Sequence, residues 1–423
     1  MVDFKLETGR GHLDLGLEDT QNLGVITGQD IPPLEEGQVK KIIGEGMAAH
    51  APNDLGNKKI ALIIPDNTRL WARGDLYLPC IVESLLDQGA ALENIIVLVA
   101  LGTHAPMDEE TKIQLAGSNF NGKLRIRNSA PLDPNRLVSM GKTSRGTALA
   151  FTREAVEADH IIIFGGVLHH PIAGFGGGRK YILPGIAGYE TIQENHALAF
   201  TPEGAAHPRV RQGQTLGNPV HLDMEEAAKI FLRGKSCTYV ALAANGEGNI
   251  FHARVGDLTP TFEDACHHLN RACCVNVETK GDFALFSAGG HRTDGQLYQA
   301  TKALFNAVEL VKEGGKLLFV AACDQGVGND AFARALTQYK TCPKSLGQRL
   351  GEEFEMPAYV AFRLMDILNR FQVTLVSNLE KKTVDALGFK TTHDPQGYIN
   401  GLKGQGYILP FGENILPLVA PKG

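Results

Sequence analysis

The chain has 423 residues, 43% of them hydrophobic and 21% charged, with a formal net charge of −6. This is the balance of a folded globular protein with room for two or three domains. It excludes a general attraction to nucleic acid or acidic lipid, and no apolar run is long enough to span a bilayer. The opening residues, MVDFKLETGRGHLDL, lack a basic-then-apolar leader pattern, so the cytoplasm is the expected location. Seven cysteines without a CxxC spacing read as reduced thiols.

Residues 1–35 read as strands and turns, and residues 35–50 as a helix. The run IALII at 60–64 is continuously apolar, as in a strand buried on both faces. The loop PDNTR follows at 65–69, then a helix over 77–88. A second buried strand, IIVLVA at 95–100, ends in Gly102-Thr103-His104. In open α/β sheets, ligands sit beyond the carboxyl ends of strands, where Asp66, Thr68, Arg69 and His104 all fall. A third strand, HIIIFGG at 160–166, runs into the densest stretch of the chain. Residues 201–224 are rich in Gly, Pro and His and read as irregular. A strand at 237–244 and a helix at 261–274 close the first domain.

The pattern restarts near Asp282. Strand (283–290), helix (298–312), strand (316–322), Gly-rich loop (323–330), helix (356–370) and strand (373–377) follow in turn. The tail, residues 406–419, reads as a hairpin. The expected fold is therefore α/β, with two α/β domains around an active-site cleft, the second of them Rossmann-like. The expected boundaries are 1–275 and 281–400, with the tail 405–423 rejoining the first domain.

Residues 168–196, LHHPIAGFGGGRKYILPGIAGYETIQENH, concentrate histidines, glycines and an Arg-Lys pair. Gly176, Gly177 and Gly178 let backbone approach a ligand, and Arg179 and Lys180 put positive charge beside that approach. The stretch is neither a Walker A loop nor GxGxxG, and a plain surface loop is the alternative. His170, His196 and His104 suit proton transfer or metal ligation, although a histidine is more often only hydrogen-bonded. PDNTR reads as an anion clamp through Arg69 or as a helix N-cap. CHHLNRACC at 266–274 offers metal-binding residue types. However, Phe262, Cys266, Leu269 and Cys273 share a helical face and read better as a buried stripe. YQATK at 298–302 opens a helix, and Lys302 is either a cleft residue or a solvated lysine.

Taken in order, these motifs resemble the nickel-dependent lactate racemase family of 2-hydroxyacid racemases and epimerases. The resemblance rests on PDNTR, GTHAP (102–106), HPIAGFGGGRK (170–180), the spacing to His196, and YQATK. It implies a nickel-pincer nucleotide, a pyridinium-3,5-bisthiocarboxylic acid mononucleotide that grips nickel through two sulfurs and one carbon. His196 would supply the protein ligand, and Lys180 the lysine that can form a thioamide link. Asp66, Thr68, Gly176, Gly177, Gly178 and Arg179 would hold the nucleotide. His104 and His170 would be the two acid/base groups of a hydride-transfer racemisation. Arg69 and Lys302 would hold the substrate carboxylate, with Gln299 and Tyr298 nearby. Proteins that synthesise the cofactor are implied partners.

The chain departs from the lactate enzymes near the substrate. Pro171-Ile172 follow His170 where those enzymes carry two aromatic residues. The loop GGHRTDGQ at 289–296 adds His291, Arg292 and Asp294. The expected substrate is larger or more polar than lactate, such as a sugar acid or dicarboxylate. Lactate itself and an NAD-type 2-hydroxyacid dehydrogenase are the alternatives. The second lacks a GxGxxG motif with a downstream acidic residue.

Overall fold

The computed structural model describes residues 1–419 apart from Asn53 and Asn121, with the backbone alone at 116, 118 and 119. The chain divides into two compact units. One holds residues 31–199 and 207–271, and the other holds 1–30, 200–206 and the chain from Ala272 onward. No helix among the described residues is long and apolar enough to cross a membrane.

The unit of residues 31–199 and 207–271 is built on a six-stranded sheet. In chain order its strands are Ile60–Ile64, Ile95–Val99, Arg125–Asn128, His160–Val167, Ser236–Ala244 and Ile250–Gly256. Numbered that way, the sheet runs 3-2-1-4-5-6. This is the doubly wound order, in which the chain leaves its first strand in one direction and later returns to that strand's other side. Every pairing is parallel except the last, where Ile250–Gly256 runs antiparallel along the edge. All five residues of Ile60–Ile64, all five of Ile95–Val99 and all eight of His160–Val167 are buried. Each buried Ile, Val or Leu contributes about 1.5–3 kcal/mol relative to exposure, which is why these apolar runs lie at the sheet centre. Helices Glu36–His50 and Gly74–Asp87 pack Val39, Ile43, Met47, Leu78, Ile81, Val82 and Leu85 into the same core.

The other unit has its own six-stranded sheet, parallel throughout. Its order is Lys390–Thr391, Gln372–Val376, Val311–Val320, Gly281–Ser287, Gly406–Leu409, Asn22–Val25. The expected two-domain α/β class is therefore what the chain adopts.

Three expectations differ from the fold. The tail is not a hairpin of the first domain. Gly406–Leu409 lies between Gly281–Ser287 and Asn22–Val25, while Leu416–Val419 pairs with Cys274–Val277; residues 420–423 lie outside the described residues. The N-terminal strand Asn22–Val25 belongs to this second sheet too. Such pairings join residues almost 400 positions apart, which local pattern does not encode. Finally, residues 201–224 are not irregular to the end. A helix runs Pro219–Phe231, started by Asn218, whose side chain accepts from Val220 N and His221 N. Asn-Pro at N-cap and first position was the missed signal.

Candidate active site

Strand order assembles the site. Ile60–Ile64 sits between Ile95–Val99 and His160–Val167, all parallel and in register. Three carboxyl ends therefore open at one edge, at the switch point of the sheet. Asp66, His104 and His170 follow those three ends. They lie up to 104 positions apart in the chain, and the sheet brings their strands side by side.

Asp66 caps the short helix Asn67–Ala72, and its Oδ1 accepts from Thr68 N at 3.0 Å and Thr68 Oγ1 at 2.5 Å. Its Oδ2 lies 2.5 Å from His104 Nδ1. Burial by itself would raise the Asp66 carboxyl, but the hydrogen bonds from His104 and Thr68 outweigh it and hold it below its usual value. An ionised carboxylate only accepts, so His104 Nδ1 carries a proton towards Asp66. The expectation that Asp66 and Thr68 grip a nucleotide meets a different arrangement, because both Asp66 oxygens already serve the chain itself. Arg69 is half-buried, and its guanidinium donates to Thr68 O at 3.0 Å.

His170 is fixed differently. The backbone N–H groups of Ile172 and Ala173 donate to its Nδ1 at 3.3 and 3.2 Å. Nδ1 is therefore an acceptor, and a neutral ring carries its proton on Nε2. That nitrogen is 2.8 Å from Lys180 Nζ. An Nε2–H facing Lys180 needs a lone pair there, so Lys180 is an uncharged amine. The electrostatics agree. Burial, then Lys180, His196 and Arg69, push His170 well below its usual value. Burial, then Arg69 and Arg179, do the same to Lys180.

His196 lies on the helix Tyr189–Ala197. Burial, reinforced by Lys180, pushes it down to about 3, so it is neutral. Its Nδ1 is 3.1 Å from Asn195 Oδ1. The Asn195 amide faces that way because its Nδ2 donates to Val220 O at 3.2 Å and to Asp223 Oδ2 at 2.9 Å. Asp223 is fully buried and also accepts from Thr143 Oγ1 at 2.6 Å and Thr147 Oγ1 at 2.8 Å. This chain, Asp223 to Asn195 to His196, orients the His196 ring through its Nδ1. Sequence reasoning missed Asn195 and Asp223. The available signal was an acid among Val220, Met224 and Ala227 on one helical face.

Arg179 is 3% exposed. One terminal nitrogen donates to Ala173 O at 3.0 Å and Phe175 O at 3.3 Å, and the guanidinium lies 4.4 Å from the centre of the Phe262 ring. Its Nε and other terminal nitrogen have no partner among the described residues. Burial lowers it to about 10, which leaves it charged at neutral pH.

The glycines divide by role. Gly177 and Gly178 have φ of 87° and 54°. A Cβ on Gly177 would come 2.8 Å from Gly166 O, and one on Gly178 2.8 Å from the Phe262 ring. Both are required by protein packing. Gly176 is different, since a Cβ there meets only Leu168 O at 3.7 Å. Phe262, Cys266, Leu269 and Cys273 are all buried, as the helical stripe predicted.

Lys302, Gln299, Tyr298 and Arg292 belong to the other unit. Lys302 pairs with Glu413 at 3.3 Å, and Arg292 is exposed. Asp294 is a loop anchor, because its Oδ2 accepts from Gly9 N at 2.8 Å and Ala322 N at 3.0 Å. Ile172 is fully buried. Pro171, before it, is half-buried.

Residues 8–207 match the family model of the lactate racemase N-terminal domain, and residues 276–400 that of the C-terminal domain. A lactate racemase of Lactiplantibacillus plantarum is 28% identical over 318 residues, covering 75% of this chain and 73% of the relative. A lactate racemase of Thermoanaerobacterium thermosaccharolyticum is 26% identical over 348 residues, covering 80% of this chain and 79% of the relative. The fold matches the lactate racemase apoprotein structure from that second organism with a TM-score of 0.85 at 22% identity, over 99% of this chain and 100% of that one. A crystal structure of a Thermotoga maritima protein matches with a TM-score of 0.65 at 16% identity, over 93% of this chain and 100% of that one. With two domain models matched in order across most of its length, this chain belongs to the lactate racemase family, a family of isomerases.

Proposed function

We propose that the chain inverts C2 of a 2-hydroxy acid, working with a nickel-pincer nucleotide held by Lys180, His196 and Arg179. The observation that carries this reading is the half-buried Lys180–His170 pair, 2.8 Å apart and both lowered in basicity, with a buried, neutral His196. A neutral imidazole is a nickel ligand, and an uncharged amine is the form that can make a thioamide link. The two unpartnered Arg179 nitrogens fit a phosphate, since a buried cation without an acceptor is costly. Gly176 has room for that approach. The residues therefore fit the group, with Thr68, Gly177 and Gly178 shaping the loops around it.

When bound, the nucleotide supplies a pyridinium that takes and returns a hydride. The chain handles the proton and the carboxylate. His104 has the Asp66 carboxylate behind its Nδ1, which stabilises the charge the ring gains on accepting the substrate hydroxyl proton. His170 returns a proton to the oxygen from its imidazolium form when the hydroxyl points the other way. Inversion needs an acid/base group for each orientation of the C2 hydroxyl, and the two histidines supply one each. Arg69 holds the substrate carboxylate. Lys302, Gln299 and Tyr298 are assigned to the substrate from the motif shared with the family. Arg292 favours a substrate with a further acidic or hydroxyl group, such as a sugar acid or dicarboxylate.

The test loads the full chain with the nickel nucleotide and follows loss of optical activity at C2 across a panel of 2-hydroxy acids. Inversion of a polar acid faster than lactate is expected. Net formation of NADH from added NAD, or no inversion of any member, overturns the reading. Fastest turnover of lactate overturns the substrate class alone.

A further inference from the structure

Away from the candidate active site, the edge strand Ile250–Gly256 and the helix Leu258–Cys273 bring three donors together. Asp264 and His268 are one helical turn apart and share a helix face. His252 and Arg254 alternate along the strand and share one of its faces. The ligand atoms of His252, Asp264 and His268 all lie within 4.8 Å of one another. His252 Nε2 is 2.8 Å from Asp264 Oδ2, and the His252 and His268 rings stack at 3.9 Å with 13° between their planes.

We propose that His252, Asp264 and His268 form a second metal site, one that takes a zinc-class divalent cation and is separate from the nickel site. The donor chemistry points that way. Two imidazoles and one carboxylate suit a borderline transition metal and leave a fourth position for water. The carboxylate is already oriented. Arg254 holds Asp264 Oδ1 at 2.8 Å, which leaves Oδ2 as a single ligand atom towards His252. Zinc bonds of about 2.0–2.2 Å need His252 Nε2 and Asp264 Oδ2 slightly further apart than their present hydrogen bond, and the His268 ring turned out of its stack so that its lone pair converges with theirs. The metal takes the place of the proton now shared by His252 Nε2 and Asp264 Oδ2, and that proton leaves to solvent or moves to the other ring nitrogen. Burial, then the neighbouring His268, lowers His252, in keeping with the ligand form at neutral pH.

The site has a structural consequence. The same helix carries Phe262 beneath Arg179 and Asn270, whose Oδ1 is 3.0 Å from His169 Nε2. An ion that ties His252 to Asp264 and His268 pins this helix to the sheet edge. It thereby braces the glycine stretch from outside.

The experiment uses the full, untagged chain, stripped with chelator and carrying His196→Ala so that the nickel site does not compete. Zinc chloride is titrated by calorimetry, and bound zinc is counted after desalting. The expected result is one equivalent per chain and a rise in melting temperature with zinc. His268→Gln or Asp264→Asn should weaken binding by more than about tenfold, and Arg254→Gln by about 10- to 100-fold, the usual cost of an outer partner. Cobalt substituted into the parent should give the visible bands of a four-coordinate ion, a readout that holds even if a variant fails to fold. No bound zinc at micromolar concentration, or equal binding by His268→Gln and Asp264→Asn, overturns the proposal.

Discussion

Two stretches carry most of the family motifs, and they differ in physical state. Residues 170–196 are packed into the sheet switch point, where burial lowers the basicity of His170, Lys180 and His196. Residues 289–302 lie at a strand end of the other unit, with Arg292 exposed and Lys302 paired to Glu413. The first stretch keeps its groups reactive by desolvation, which disfavours charge on both histidine and lysine. The second keeps full charges in reach of solvent, which suits recognising an anion rather than reacting with one. Chemistry and selection are thus expected to separate between the two stretches, and substitutions can break or sharpen that contrast.

The largest effect is expected at the buried stretch. His196→Ala should abolish nickel retention by the loaded chain, measured by metal analysis after desalting; retained nickel would contradict the ligand assignment. Next come the proton-transfer residues. His104→Asn and His170→Asn should each lower kcat by about 10²–10⁴-fold, the usual worth of a general acid or base. Asp66→Asn tests the tautomer argument. Its amide cannot hold His104 in one tautomer as a carboxylate does, so kcat should fall by about 10²-fold while nickel content stays unchanged. An equal loss of nickel would return Asp66 to the cofactor.

A smaller effect is expected from Asp223→Asn. It disturbs the acceptor of Thr143, Thr147 and Asn195, and should cost about 1–3 kcal/mol in denaturant unfolding. It should also weaken nickel retention by about 10- to 100-fold, as loss of an outer partner does. The smallest effects belong to the exposed stretch. Lys302→Met should raise KM more than it lowers kcat. Arg292→Ala should leave lactate turnover within about threefold while slowing a dicarboxylic 2-hydroxy acid by about tenfold, a difference of roughly 1.4 kcal/mol. If Arg292→Ala slows both equally, the contrast between reacting and selecting stretches fails.

The site was partly legible in the sequence. His104, His170, Lys180 and His196 stand in motifs whose residue types suggest chemistry, and Phe262, Cys266, Leu269 and Cys273 announce a buried face by spacing. The roles within the site were less legible. Asp66 reads from its motif as a nucleotide contact, and in the fold one of its carboxylate oxygens faces His104, 38 residues later. Gly177 and Gly178 looked like open backbone, yet their missing Cβ atoms make room for Gly166 O and Phe262. Asp294 looked like a substrate contact until its amide partners on Gly9 and Ala322 were seen.

What the sequence determined by itself was local. Apolar runs set Ile60–Ile64, Ile95–Val99 and His160–Val167 as buried strands, because only a two-sided core rewards five to eight consecutive apolar residues. Helical spacing likewise set Met356–Arg370. The tertiary structure decided what depends on partners distant in the chain. It ordered the first sheet so that three strand ends meet. It drew Asn22–Val25 and Gly406–Leu409 into the second sheet. It also set which groups face the ring nitrogens of His104, His170 and His196, since a histidine's hydrogen bonding is fixed by the group facing it and not by its spacing in the chain.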